Sequence, residues 1–327
     1  MCVFILLLFF SSLLSAQEVK IGVLFDFLSQ RWLKDRDYLL KEAQKHSVKL
    51  IIKSAEQNQQ LQIAQAKELI EQGVKALLVI PHHLQLAGRI VELAHQKGVF
   101  VIAYDRIIRG CDLDFYVSFD SEKVGELQAK YALKKVPQGN FGLVGGSPSD
   151  FNALLLRKGQ LKILTPQVKA GRIKILFDFY TEEWKAEVAK RKFKSLLAGT
   201  SEPINAVLCG NDILAGAIIE VIESKGLQGK VFVAGQDAEL SALHQILEGK
   251  QSITIYKPIK KEAHYAMELA VKLARGEKVN YLINRTVNNG FKEVPSILLE
   301  PLVIDKSNIQ LIIKDGFYTK EQVFGKK

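Results

Sequence analysis

From residue 18 onward, short unbroken apolar runs alternate with longer stretches in which apolar positions return every third or fourth residue. The first pattern marks strands buried on both faces, and the second marks helices with one apolar stripe. Strands are predicted over 19–25, 49–53, 76–80 and 99–104, with helices over 32–45, 59–72 and 84–97 between them. The beat then restarts. Strands near 141–144, 173–179, 206–209, 231–234 and 252–256 are separated by helices near 153–164, 183–197, 213–224 and 240–248. Such alternation builds a parallel sheet wound with helices, and its repetition implies two similar doubly wound α/β lobes. A further helix, 260–275, fits best back on the first lobe, and a terminal strand pair, 296–299 and 302–304, closes the core. The chain is therefore expected to cross between lobes three times, near Asp120, Lys257 and Asn289. This divides it into 17–120 (first lobe), 121–256 (second), 257–289 (first) and 290–327 (second).

Residues 1–16 stand outside that rhythm. The apolar run Val3 to Leu14, followed by Ser15-Ala16-Gln17, reads as a secretion signal cut near Gln17, or as an uncleaved membrane tether because no Lys or Arg precedes the run. Either way the rest of the chain is sent out of the cytoplasm. Cutting removes Cys2 and leaves Cys111 and Cys209, which are expected to be free buried thiols, since a core of this size needs no disulfide staple. The 327 residues, 48% of them hydrophobic, suffice for two cores. The net charge of +10 is dispersed among acidic residues and forms no basic block, so nucleic acid is not an expected partner. A phosphate loop and a zinc-ligand spacing are also absent from the sequence.

Polar and aromatic residues recur where the strands end. Asp26 and Arg31-Trp32 follow the first strand and Asp105-Arg106 the fourth; Asn152, Trp184, Asn211-Asp212, Asp237 and Lys257 follow strands of the second lobe. Ligand sites of wound sheets lie at such ends, so these residues are expected to face one cleft. Aromatic faces with planar polar groups suit the C–H faces and hydroxyls of an uncharged sugar. Blander roles also fit. Asp105-Arg106 can cap a strand as an ion pair, Asn211-Asp212 can cap a helix, Trp184 can pack at a helix start, and Lys257 can be a solvated linker charge. The adjacent His82-His83 lack a third metal ligand and read as a surface feature.

Several blocks carry a resemblance: Arg31-Trp32-Leu33-Lys34-Asp35-Arg36-Asp37, Ala103-Tyr104-Asp105-Arg106, residues 119–129, Gly145-Gly146-Ser147-Pro148, Gly235-Gln236-Asp237-Ala238, Lys257-Pro258 and Asn288-Asn289-Gly290. Over residues 18–318 the chain resembles the periplasmic sugar-binding proteins of bacterial ABC importers, the D-xylose binders in particular. The resemblance implies the type I periplasmic binding fold and a pentose held by Arg31, Asp105, Arg106, Asn152, Trp184, Asn211, Asp237 and Lys257, with Trp32 as a second stacking wall. Pro81-His82-His83-Leu84 stands where the resembling proteins carry a Tyr-Asn pair, and Phe151 where a second Asn is usual, which leaves the choice among close sugars open. It implies a monomer that delivers D-xylose or a related monosaccharide to an ABC permease. The alternative is a sensor of the same fold read by a membrane histidine kinase or chemoreceptor. No nucleophile–base pair accompanies Asp105 or Asp237, so neither catalysis nor a cofactor or metal is expected.

Overall fold

The apolar runs become two sheets. The computed structural model describes residues 18–28 and 30–325, so the expected leader over 1–16 lies outside the described residues. Among the described residues no helix is long and apolar enough to cross a membrane. The first lobe begins with β1 (Lys20–Phe25), α1 (Gln30–Lys45), β2 (Lys49–Ser54), α2 (Gln59–Glu71), β3 (Ala76–Val79), α3 (Gly88–His95), β4 (Phe100–Tyr104) and β5 (Phe115–Phe119). The second contains α4 (Ser121–Lys135), β6 (Gly139–Gly145), α5 (Phe151–Lys169), β7 (Ile173–Tyr180), α6 (Ala186–Ala198), β8 (Ala206–Cys209), α7 (Asp212–Ser224), β9 (Phe232–Gln236), α8 (Leu240–Leu247) and β10 (Ile253–Tyr256). The chain returns to the first lobe for α9 (Ile259–Ala274), β11 (Arg285–Asn288) and β12 (Glu293–Leu299). It finishes on the second with β13 (Leu302–Ile304), α10 (Gln310–Lys314) and α11 (Lys320–Phe324).

The strand orders are β11-β12-β5-β4-β3-β1-β2 and β13-β10-β9-β8-β6-β7. Each sheet is parallel except for one antiparallel edge strand, β11 and β13 respectively. Both orders reverse direction next to their first strand, which opens a crevice at the carboxyl ends of the strands. Apolar clusters cover both faces of each sheet. Another, with Phe119, Tyr256, Ile259 and Ile304, joins the segments that cross between lobes.

The third crossing lies elsewhere than expected. β12 runs parallel to β5, with Ser296 opposite Tyr116 and Leu299 opposite Phe119, so the chain stays in the first lobe until Glu300-Pro301. Segments 296–299 and 302–304 are therefore in different sheets and are not a pair. Asn289 instead closes the β11–β12 hairpin: wholly buried, it donates to the carbonyls of Ile108 and Cys111 and accepts from the amides of Phe291 and Lys292. Strands β5 and β11 were not anticipated; β5 follows a Gly-Cys-Asp-Leu-Asp turn that masks its start, and β11 is an exposed edge with no apolar run.

In the second lobe α4 and α5 cross almost backbone to backbone. A Cβ on Gly125 would lie 1.9 Å from the Leu156 carbonyl oxygen, and one on Gly159 1.9 Å from that of Glu122. Beneath this pair, buried Gln128 donates to the carbonyls of Cys209 and Gly235 and so fixes the ends of β8 and β9. Cys111 and Cys209 are free and buried.

Candidate functional site

The carboxyl ends of the two sheets face each other across a cleft of about 450 Å³. Its polar walls are built at strand-to-helix turns, where side-chain oxygens also cap the next helix. Asp150 accepts from the Asn152 amide at the start of α5, and Asn211 from the Leu214 amide at the start of α7. Asn211 therefore does cap its helix, and it still lines the cleft, because its carbonyl oxygen takes the cap while its amide nitrogen stays available.

Asp105 and Arg106 do not pair with each other; each reaches a different partner set. Asp105 lies 2.6 Å from Arg31 and 3.5 Å from Lys257. Lys257 lies 3.1 Å from Asp237, and Arg31 reaches Asp237 at 3.5 Å. Four residues, from α1, the turns just after β4 and β9, and the second crossing, thus form one linked set spanning both lobes. Lys257 is only 7% exposed, so it is not a solvated linker charge. Burial opposes ionisation of Asp105, but Arg31, Lys257 and Arg106 hold its carboxyl well below the usual range. Burial also works against the Arg31 charge, and the carboxylates of Asp105, Asp35, Asp237 and Glu262 more than offset it. Asp35 accepts from the Tyr104 hydroxyl at 2.5 Å, and burial pushes its carboxyl up to about 6.

Arg106 donates to Asp26 at 2.8 Å and faces Asp150 of the other lobe at 3.3 Å. Asp26 also meets His82 Nδ1 at 2.8 Å. The His82 loop is pinned by α2: Gln62 accepts from the His82 amide and Gln59 from the His83 amide. His82 is thus part of the cleft wall and not a surface feature; the residue that holds it, Asp26, is 56 positions away in sequence. Asn152 crosses from the second lobe to donate to the Asp105 carbonyl at 2.8 Å. Beside it Phe151 packs against the first lobe's core with the Arg109 guanidinium 4.3 Å from its ring centre.

The two tryptophans differ. Trp184 sits in a tight turn after β7, not at a helix start, and both it and Glu183 have left-handed backbone, with φ of 57° and 51°. Its ring lies over Gly146 and Gly210, whose missing side chains make its seat. Trp32 is only 4% exposed, packs edge-on to Phe25 and lies under the guanidiniums of Arg31 and Arg106, at 4.6 and 5.7 Å. It borders the cleft mainly as core, so Trp184 offers the open aromatic face. Asp212 does not face the cleft. It turns inward, accepts from Gln251, Thr254 and the Glu239 amide, and ties β10 to the start of α7.

The structure therefore brings Arg31, Trp32, Asp105, Arg106, Asn152, Trp184, Asn211, Asp237 and Lys257 to one cavity. Asp26 lines the cavity as expected, and the structure adds His82 and Asp150, of which Asp150 had a legible signal as an acidic residue just ahead of a helix. Among the described residues no group of three His, Cys, Asp or Glu side chains is arranged to hold a metal. Rows of donors and acceptors, one open aromatic face and cations already paired with carboxylates suit an uncharged polyhydroxylated ligand rather than an anion.

Comparison with known proteins agrees with this fold. The model of the periplasmic binding protein domain matches residues 21–278. The chain is 43% identical over 317 residues to the D-xylose-binding periplasmic protein of Haemophilus influenzae, covering 96% of this chain and 95% of that protein. It is 44% identical over 310 residues to the D-xylose-binding periplasmic protein of Escherichia coli, covering 94% and 93%. Among solved structures, a carbohydrate transporter solute-binding protein from Chloroflexus aurantiacus in complex with D-glucose superposes with a TM-score of 0.86 at 28% identity, covering 93% of this chain and 97% of that one.

Proposed function

The chain belongs to the periplasmic binding protein family, and from that premise we propose that its cleft captures D-xylose, or a monosaccharide close to it, and delivers it to an ABC permease. Membership places the chain in the periplasm; removal of the leader near Gln17 and action as a monomer belong to the proposal. The function is capture, not catalysis. One observation carries the choice of ligand class: Arg31, Asp105, Lys257 and Asp237 form a linked donor–acceptor set across both lobes, opposite the open face of Trp184.

In the proposed mechanism the sugar lies with one face on Trp184 while its hydroxyls take the amide groups of Asn152 and Asn211 and the charged groups of Arg31, Arg106, Asp105, Asp237 and Lys257. The three crossings let the lobes rotate, and closure brings Asp237 and Asn152 to the first lobe's Arg31 and Asp105. An analogue that misplaces one hydroxyl leaves a buried partner unmatched, at a cost of about 1–3 kcal/mol, or roughly 5- to 150-fold in affinity. Titration calorimetry with D-xylose, L-arabinose, D-ribose and D-glucose tests this. D-xylose is expected to bind tightest; no heat with D-xylose beside clear binding of another sugar sinks the xylose assignment, and no heat with any of them sinks sugar capture.

A further inference from the structure

Glu262 lies in the first turn of α9, just beyond the second crossing, and is wholly buried. Neither of its carboxyl oxygens meets a hydrogen-bond donor. Its nearest cation is Arg31, at 3.5 Å, which is already shared by Asp105, Asp237 and Asp35. The charged and titratable groups that face it are Arg31 and Asp35 from α1, Tyr104 from β4 with Asp105 just after it, Tyr116 from β5, and Lys257 from the crossing, while Asp237 at the end of β9 reaches the same Arg31.

Two cations, Arg31 and Lys257, thus face four carboxyls, Asp35, Asp105, Asp237 and Glu262. Three of those carboxyls have a close donor: Asp105 has Arg31 at 2.6 Å, Asp237 has Lys257 at 3.1 Å and Asp35 has Tyr104 at 2.5 Å. Glu262 has none, and an ionised carboxylate in that position would be a buried charge without compensation.

We propose that Glu262 is a positioning residue for Arg31 that acts in the closed cleft as an uncharged acid, and that closure on the ligand takes up a proton there. Asp237 explains the coupling, because it belongs to the second lobe. With the lobes apart, Arg31 has one carboxylate fewer to serve, and Glu262 can ionise against it. Closure returns Asp237 to the guanidinium and leaves Glu262 the surplus carboxyl, so it must bind a proton or draw Arg31 away from Asp105. Burial and the nearby Asp105 charge push the Glu262 carboxyl well above the usual range, in the same direction. Affinity therefore falls as pH rises through the interval in which the open form has lost the proton and the closed form must regain it.

The inference rests on the sugar-capture reading, and its test has one arm that needs no sugar. E262A and E262Q are compared with wild type in the mature chain by D-xylose calorimetry from pH 5.5 to 9, in two buffers of different ionisation heat, and by urea unfolding without sugar over the same range. Expected are proton uptake on binding by wild type and an affinity that falls by up to tenfold per pH unit. E262A should bind about tenfold or more weaker at pH 5.5. E262Q, which keeps the shape of the neutral acid, should restore wild-type affinity at pH 5.5 and show a flatter profile. Without sugar, the stability of E262Q should rise relative to wild type as pH increases. Weak binding by E262Q at pH 5.5, or a profile and proton uptake equal to wild type, overturns the proposal. If wild type binds no sugar, the capture reading fails, and parallel unfolding profiles of wild type and E262Q then overturn the Glu262 proposal on their own.

Discussion

Gly146→Ala is the sharpest test of the aromatic wall. A Cβ at this position would lie 2.1, 2.2 and 2.3 Å from Cη2, Cζ3 and Cζ2 of Trp184. Carbon atoms rest at about 3.5–4.0 Å, so the ring must retreat by roughly 1.3 Å. It can move only into the cleft, toward the place assigned to the sugar. Gly146 is outside the left-handed region, so the effect of alanine is steric and not conformational. Loss of well-seated stacking costs about 0.5–1.5 kcal/mol. A shifted sugar strains at least one hydrogen bond, for about 1 kcal/mol more. Together they weaken binding by roughly 10- to 70-fold.

The assay is calorimetry with D-xylose on wild type, G146A, W184A and the double variant, with thermal melts alongside. Trp184 is only partly buried, so the melts should change little for G146A. If the loss acts through the ring, G146A should cost nothing further once Trp184 is alanine. Wild-type affinity in G146A, or an equal loss in both backgrounds, would refute the assignment of Trp184 as the stacking surface.

Lys257→Met removes the cation shared by Asp105 and Asp237; equilibrium titration should show at least a 100-fold loss of sugar affinity, about 2.7 kcal/mol. Gly159→Ala drives a methyl to 1.9 Å from the Glu122 carbonyl, so urea unfolding should show the second lobe weakened by about 1–3 kcal/mol or more, while the remaining folded protein binds sugar as wild type does. Asp35 is raised from 3.8 to about 6, so its folded form holds the proton more tightly than the unfolded chain. Stability from this group is therefore full below about pH 4 and lost by up to about 3 kcal/mol as pH rises to 6. Unfolding of Asp35→Asn between pH 4 and 6 should lack that slope, and an equal slope in both proteins refutes the assignment.

The alternation of apolar runs was enough to show two wound lobes, because a strand buried on both faces leaves an unbroken apolar signature. It did not reveal β11, which is an exposed edge, or place the third crossing, which depends on β12 pairing with β5 across 180 residues. The cleft was legible at Asp105, Asn211 and Asp237 for a related reason: polar residues directly after buried strands have few other places to point. His82 was not legible, because what makes it part of the wall is Asp26 and two glutamines of α2. Asp212 misled for the opposite reason. It shares the strand-end position of Asn211 but turns inward to bind three donors.

The backbone at these strand ends shows why so many groups converge on one small volume. Asp105, Trp184 and Asp237 all have positive φ, at 59°, 57° and 95°. Such conformations cost non-glycine residues roughly 1–3 kcal/mol each and persist only where the surroundings impose them. Here the bonds that impose them can be named. The Asp105 amide donates to Val117, and its carbonyl accepts from Tyr116, Ser118 and, across the cleft, Asn152. The Asp237 amide donates to Ile255, and that of the next residue, Ala238, to the Thr254 hydroxyl. The first lobe's own strands therefore hold Asp105 in place, and Asn152 adds its bond from the other lobe. A neutral sugar offers weak individual hydrogen bonds, and it gains from partners that need no reordering on arrival. Strain stored in the backbone at Asp105 and Asp237 is in this sense the counterpart of the spare proton on Glu262: both keep charged side chains aimed at a ligand that carries no charge of its own.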